Sequence, residues 1–135
     1  MSNAYNIDEL LAGVAFGPDG LVPAIAQQHN TGEVLMLAWM NQEAIKASLE
    51  HGQVHYWSRS RGKLWRKGER SGQTQKLVEF RIDCDGDSLL VLVDQTGIAC
   101  HTGRRTCFFR TASDEGWKKA LPVETDPAQL YSKTD

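Results

Sequence analysis

No stretch of the 135 residues approaches the ~20 consecutive apolar positions that a membrane-spanning helix requires, so no membrane partner is expected. Met1 to Leu10 has neither a basic start nor a long apolar run, which is not the pattern of a secretory leader. Charge of neither sign dominates. Fifteen Lys and Arg stand against 17 Asp and Glu, a net charge of −2, so no global field draws the chain to nucleic acid or a membrane surface. Cysteine is scarce and odd in number, three in all. That excludes a simple disulfide framework and, without a leader, places the expected location in the reducing cytoplasm. There is no internal repeat and no linker-like segment. With 41% hydrophobic and 24% charged residues, the expectation is one globular domain over residues 1–135, with a core at about 15–112 and a short tail at 113–135.

What is present reads as alternating strands with one helix. Ile7 to Leu11 has the look of a short helical turn. Leu21 to Gln27 reads as a strand, and Pro23 assigns it an edge or early position. The Asn30-Thr31-Gly32 turn predicts a hairpin into Val34–Met40, whose nearly continuous apolar character predicts a central strand. Asn41 is the expected N-cap of a helix over Asn41–Glu50. Ala44, Ile45, Ser48 and Leu49 form its buried stripe, and Gly52 its end. Val54–Ser58 is a short aromatic strand, and Arg59–Gln73 a long loop held by Trp65. Leu77–Asp83 alternates as a half-buried strand with Val78, Phe80 and Ile82 on one side. Ser88–Val93 is another central strand, and Ile98–Cys100 and Thr106–Arg110 are the last two. The fold class is therefore α+β, mostly antiparallel β-sheet with one main helix.

Each cysteine lies among polar or charged residues. Cys84 sits within Asp83-Cys84-Asp85-Gly86-Asp87, and Cys100 and Cys107 bracket His101-Thr102-Gly103-Arg104-Arg105-Thr106. Three thiolates are one short of a closed tetrahedral zinc site, and the open arrangement is the catalytic one. If the strand continued through Asp83, Asp85 and Asp87, their carboxylates would share one face and Cys84 would take the other. Hard oxygens suit magnesium or calcium, and a thiolate suits zinc. An EF-hand is set aside because Gly86 falls at position 4 rather than 6, Asp94 replaces the Glu of position 12, and strands rather than helices flank the loop. The bland alternative is a solvated acidic turn. His101 is open to three readings: a fourth ligand, a base, or a polar turn residue. Arg104 and Arg105 have the geometry to grip a phosphate, or one of them is a solvated turn residue.

Basic charge is concentrated. Arg59, Arg61, Lys63, Arg66, Lys67, Arg70, Lys76 and Arg81 face only Glu69 and Glu79 across Arg59–Arg81. Cations, hydroxyls and glycines in one loop fit phosphate binding, with Trp65 free to stack on a base. Single-stranded nucleic-acid binding and a plain solvated loop anchored by Trp57 and Trp65 compete with that reading.

Together these stretches resemble the phosphoribosyl-AMP cyclohydrolase family. The resemblance is carried by Gly32–Asn41, Tyr56-Trp57-Ser58-Arg59-Ser60-Arg61, Leu64-Trp65-Arg66-Lys67-Gly68-Glu69 with Ser71-Gly72, Asp83–Asp87, and Cys100-His101-Thr102-Gly103 through Cys107-Phe108-Phe109. It implies a hydrolase of histidine biosynthesis that opens the adenine ring of N1-(5-phosphoribosyl)-AMP at C6–N1 with zinc-activated water. It further implies zinc on Cys84, Cys100 and Cys107, and magnesium on Asp83, Asp85 and Asp87. An interlaced homodimer follows, with Cys84 of one subunit joining Cys100 and Cys107 of the other. His101 is then the candidate proton shuttle. Arg59, Arg61, Trp65, Lys67, Glu69, Ser71, Arg104 and Arg105 are the candidate substrate-binding residues, and no nucleic acid is expected as a partner. Two alternatives stand beside it. A zinc deaminase would need the His-x-Glu and Cys-x-x-Cys signatures, which the chain lacks. A zinc-stabilised nucleic-acid module would need its metal to fold.

Overall fold

The structure, a computed structural model, describes residues 5–132. Residues 1–4 and 133–135, the outer ends of the expected domain, lie outside the described residues. In chain order the elements are helix α1 (Ile7–Ala12), strands β1 (Val22–Gln28) and β2 (Val34–Met40), helix α2 (Gln42–His51), strands β3 (His55–Ser58), β4 (Lys63–Arg66), β5 (Gln75–Ile82), β6 (Leu89–Gln95), β7 (Arg110–Ser113) and β8 (Gly116–Lys119), and helix α3 (Pro127–Ser132). The chain is α+β and mostly antiparallel. Of the paired strands only β1 and β6 run parallel, in a sheet ordered β2-β1-β6-β5.

Strict alternation builds the middle of this sheet. Val22, Ala24 and Ala26 of β1 and Leu89, Val91 and Val93 of β6 all point inward and are buried. Helix α2 closes that face. The Asn41 side chain accepts the Ala44 N–H at 2.9 Å, and Gly52 takes φ +71°, which a Cβ would disfavour. Its buried stripe is Ala44, Ile45, Ser48 and Leu49, as the spacing predicts. Ser48 ties α2 to β3, donating to the Ala44 carbonyl and accepting the His55 N–H, both at 2.8 Å.

Several expectations are corrected. Strand β2 is an edge of this sheet rather than a centre; β1 is interior, and of the edge or early position expected from Pro23 it is the early one that holds, Pro23 being its second residue. The parallel ladder with β6 begins at Ala24, so the proline removes no bond from it. Residues 63–66 leave the expected long loop to form β4, which pairs Tyr56 with Trp65 and Trp57 with Leu64. The last strands are displaced. Residues 98–100 and 106–109 form an irregular loop, and the pairing moves to the β7–β8 hairpin. Alternation in β5 is broken by a bulge at Val78, which leaves Val78 exposed and turns Leu77 and Phe80 inward.

A matching irregularity in β2 has wider effect. Register passes from Ala26↔Met36 to Gln27↔Val34 and leaves Leu35 without a partner in β1. The Leu35 side chain is buried, and its carbonyl accepts the Cys107 N–H at 2.7 Å and the Thr106 hydroxyl at 3.1 Å. On the other side, residues 120–125 strap the same loop. The Ala120 N–H reaches the Phe109 carbonyl, the Arg104 Nε–H the Leu121 carbonyl, and the Glu124 and Thr125 N–H groups the Gly103 carbonyl at 2.8 and 3.0 Å.

Gly103, at φ +91°, has no room for a Cβ, which would collide with the Thr125 carbonyl. Gly103→Ala is expected to lower stability by roughly 1–3 kcal/mol, from backbone strain and displacement of the strap. A thermal midpoint equal to that of the parent would show that the strap does not bear on the loop.

Candidate functional site

The tip of the β3–β4 hairpin and the loop after it enclose a cavity of about 340 Å³. Its walls carry the cations Arg61, Lys63, Arg66, Lys67 and Arg70, the hydroxyls Ser58, Ser60 and Ser71, and the ring of Trp65, with Glu69 as the lone acid. The loop 67–72 folds tightly on itself. The Glu69 carboxylate accepts the Arg66 N–H at 2.9 Å, and the Gly72 N–H reaches the Gly68 carbonyl at 2.9 Å. Gly68, at φ +83°, sits so close to the Gln73–Thr74 peptide that a Cβ would lie 2.6 Å from it. Arg66 is braced by its Nη1 donating to Gln53 Oε1 at 2.9 Å, and Trp65 packs on buried Tyr56 with ring centroids 5.2 Å apart.

Of the residues proposed to bind substrate, Arg61, Trp65, Lys67, Glu69 and Ser71 line this cavity. Arg59, Arg104 and Arg105 do not, and each is engaged elsewhere. The Arg59 guanidinium stacks over Trp39 at 4.6 Å. Arg104 is buried, bonded to Leu121, and stacked over Phe109 at 4.0 Å. Arg105 pairs with Glu33 through Nη2 at 2.6 Å and Nε at 3.0 Å. Both turn arginines thus serve the packing of the cysteine loop in this structure. The cavity adds Lys63, Arg66 and Arg70, which the sequence reading counted in the basic segment without singling out. Recognising the β3–β4 hairpin would have drawn them together.

Lys67 joins the cavity to the cysteine pair. Burial pushes its ammonium pKa down, and the nearby Cys107 and Cys100 sulfurs push it back up. Cys100 is buried, with Sγ 3.0 Å from Thr102 Oγ1. Cys107 is exposed as a residue, yet lost solvation around its sulfur and the adjacent Cys100 raise its thiol to about 12, against the pull of Lys67. Tyr56 lies on the same side, its phenol raised by complete burial and then by Cys107. His101 is exposed at the turn that the Gly103 N–H closes onto the Cys100 carbonyl at 3.0 Å.

Asp83, Asp85 and Asp87 converge, though not as a strand would bring them together. Strand β5 ends at Ile82, and a turn follows that gathers one oxygen of each carboxylate to within 4.8 Å of the others. Asp83 Oδ1 accepts the Asp87 and Ser88 N–H groups at 3.0 and 3.2 Å. Slight desolvation raises the Asp83 pKa, but hydrogen bonds from its neighbours outweigh it and hold the group below its usual value. Asp87 is raised by its hydrogen bonds with Asp85 and Asp83. The turn is pinned to the end of α1 by the Ala15 N–H on the Gly86 carbonyl at 2.7 Å.

The donor sets suit different metals. The adjacent thiols of Cys100 and Cys107 fit a soft or borderline ion such as zinc, and the three carboxylates a hard one such as magnesium. Cys84 is exposed beside the carboxylates. Among the described residues it does not fall into a ligand group with Cys100 and Cys107.

Residues 36–109 match the family model for phosphoribosyl-AMP cyclohydrolase. A phosphoribosyl-AMP cyclohydrolase of Paramagnetospirillum magneticum is 60% identical over 131 residues, 97% of this chain and 99% of the relative. That of Rhodospirillum centenum is 61% identical over 127 residues, covering 94% and 96%. That of Granulibacter bethesdensis is 58% identical over 132 residues, covering 97% and 98%. The chain belongs to the phosphoribosyl-AMP cyclohydrolase family.

Proposed function

We infer that this protein hydrolyses the C6–N1 bond of N1-(5-phosphoribosyl)-AMP, the ring-opening step of histidine biosynthesis. The observation that carries the reading is a cationic cavity, one of whose cations, Lys67, lies within electrostatic reach of the Cys100 and Cys107 sulfurs. It occurs in a chain about 60% identical to named cyclohydrolases along nearly its whole length. The substrate carries two phosphates and a purine. Arg61, Lys63, Arg66 and Lys67 match the phosphates in charge. Trp65 offers a ring face to the base, and Ser71 and Glu69 offer polar contacts.

Cys100 and Cys107 are the zinc ligands on this chain. The third, Cys84, would come from a second copy, as the family resemblance implies; among the described residues it forms no ligand group with the pair. The outward face of the sheet also supports a homodimer. Register puts Ile25, Leu37, Trp39, Leu90 and Leu92 on the sheet face away from α2, and Leu37 is 44% exposed. Solvent-facing apolar area of this kind marks an interface. When bound, zinc acts as a Lewis acid that makes water nucleophilic near pH ~7. N1 of the substrate is alkylated, so C6 is electron-poor and the ring nitrogen is the leaving group. His101, exposed beside Cys100, is the candidate to carry a proton to that nitrogen. Asp83, Asp85 and Asp87 hold magnesium.

Purified protein with zinc and magnesium is expected to open the ring of N1-(5-phosphoribosyl)-AMP, read as an absorbance change. A chelator should stop turnover and zinc should restore it. No turnover from folded, zinc-loaded protein would refute the assignment.

Cys100→Ala is expected to abolish turnover with the fold retained. His101→Ala should lower kcat by about 10²- to 10⁴-fold with zinc content unchanged. Equal loss of zinc and rate in His101→Ala would make the histidine a ligand instead.

Asp85→Asn should raise the magnesium concentration needed for half-maximal rate and leave the zinc requirement alone. A superimposable magnesium titration would remove the carboxylates from the metal assignment.

A further inference from the structure

Among the buried polar side chains that the proposed chemistry does not use, Gln75 is the largest that is fully buried. Every polar atom it has is nonetheless engaged. The Tyr56 hydroxyl donates to Gln75 Oε1 at 2.7 Å. That bond fixes which way the amide faces, so Nε2 meets Gln95 Oε1 at 2.9 Å and Met36 Sδ at 3.4 Å. Gln75 and Gln95 stand opposite each other in the β5–β6 ladder, which brings the amides together without distortion. Gln95 Nε2 in turn lies among the carbonyls of Thr96, Ile98 and Gln73, at 2.9, 3.1 and 3.1 Å. The Ile98 N–H is held by Gln73 Oε1 at 2.9 Å. Both main-chain groups of Ile98, two residues before Cys100, are therefore bound by glutamine side chains.

An apolar residue would fill the Gln75 position without the desolvation cost of an amide. What the amide adds is direction. At one end of the chain the amide holds Met36, whose neighbour Leu35 carries the Cys107 N–H on its carbonyl, with Tyr56 near enough for the Cys107 thiol to raise its phenol, and Ile98 at the other end leads into Cys100. A segment with no regular structure needs such outside supports if its two sulfurs are to stand at a set spacing. Partners that orient metal ligands commonly change metal affinity when removed.

We propose that Gln75 is a positioning residue that, through Tyr56 and Gln95, presets the spacing of the Cys100 and Cys107 sulfurs for a thiophilic metal ion. This rests on the reading of those cysteines as metal ligands. The test is titration of the full chain, stripped of metal, with cobalt(II), read by thiolate-to-cobalt absorption. Gln75→Met keeps the volume and removes the amide, and Tyr56→Phe removes only the hydroxyl. Gln75→Met is expected to weaken cobalt affinity about 10-fold or more, and Tyr56→Phe to weaken it less. At saturating zinc both should lower kcat more than they change KM. Ile45→Val, which removes a core methyl from α2, should lower the thermal midpoint and leave cobalt affinity as in the parent. If Gln75→Met does not fold, Tyr56→Phe decides alone. Parental cobalt affinity in the folded variants would overturn the proposal, as would an equal loss of affinity in Ile45→Val. A parent chain without thiolate-to-cobalt absorption would overturn the ligand reading beneath it.

Discussion

The cysteine loop hangs on one unpaired carbonyl. Residues 98–109 have no strand or helix of their own, so their position must come from bonds to other elements. The bulge in β2 supplies the first. By leaving Leu35 out of the ladder with β1, it frees a main-chain acceptor at the sheet edge, and the Cys107 N–H and Thr106 hydroxyl take it. Bulges re-aim backbone groups at the rims of sheets in this way. Had the ladder stayed regular, the next residues of β2 would have changed face, because side-chain direction has a period of two. The same irregularity therefore buries Leu35 and Met36 together and anchors Cys107.

Tyr56 links that loop to the cavity. Its ring packs on Trp65, whose strand turns toward the cationic wall, while its hydroxyl reaches into the sheet. A wholly buried phenol has to find an acceptor, since leaving it dry would cost about 1–3 kcal/mol. Hairpin and sheet meet at this side chain, and the Cys107 thiol lies near enough to raise its phenol. Electrostatics then separates two regions that composition averages away. Five cations and one acid line the cavity, whereas three carboxylates crowd a turn next to Cys84. Each region is locally unbalanced in a chain of net charge −2, and each is suited to a ligand of opposite sign.

Local signals in the sequence were strong where a single residue type sets geometry. Asn41, the stripe through Leu49, and Gly52 define α2 because a cap, a period and a left-handed end leave little freedom. The β1–β2 hairpin was legible from Asn30-Thr31-Gly32 for the same reason. What failed depends on pairing at a distance. β4 looked like loop because Lys63 and Arg66 are charged, yet its partner β3 supplies the apolar face. β7 and β8 stay exposed along their length, so no burial pattern marks them. Bulges at Leu35 and Val78 are invisible to a period-two reading, which is why β5 turns Leu77 inward along with Phe80 and leaves Val78 and Ile82 exposed. Of the site residues, those in the Trp65–Ser71 run share the cavity because a tight loop keeps sequence neighbours together. Arg104 and Arg105 were drawn elsewhere by Phe109, Leu121 and Glu33, none of them near in the usual local windows except Phe109.

The outward face of the sheet bears on the proposal of two copies. Strands β1, β2 and β6 carry apolar residues on both faces, the pattern of strands covered on both sides. Helix α2 covers only one. Ile25 and Leu90 stand side by side on the other, with Leu37 next to Ile25. Covering this face with a second chain would remove apolar surface from water at about 25 cal/mol per Å². Strand β5, which pairs with β6 beside this face, ends at Ile82, two residues before Cys84. An association driven by the sheet face and a metal site split between Cys84 and the Cys100–Cys107 pair would then favour each other, since a metal that binds only the associated state stabilises it.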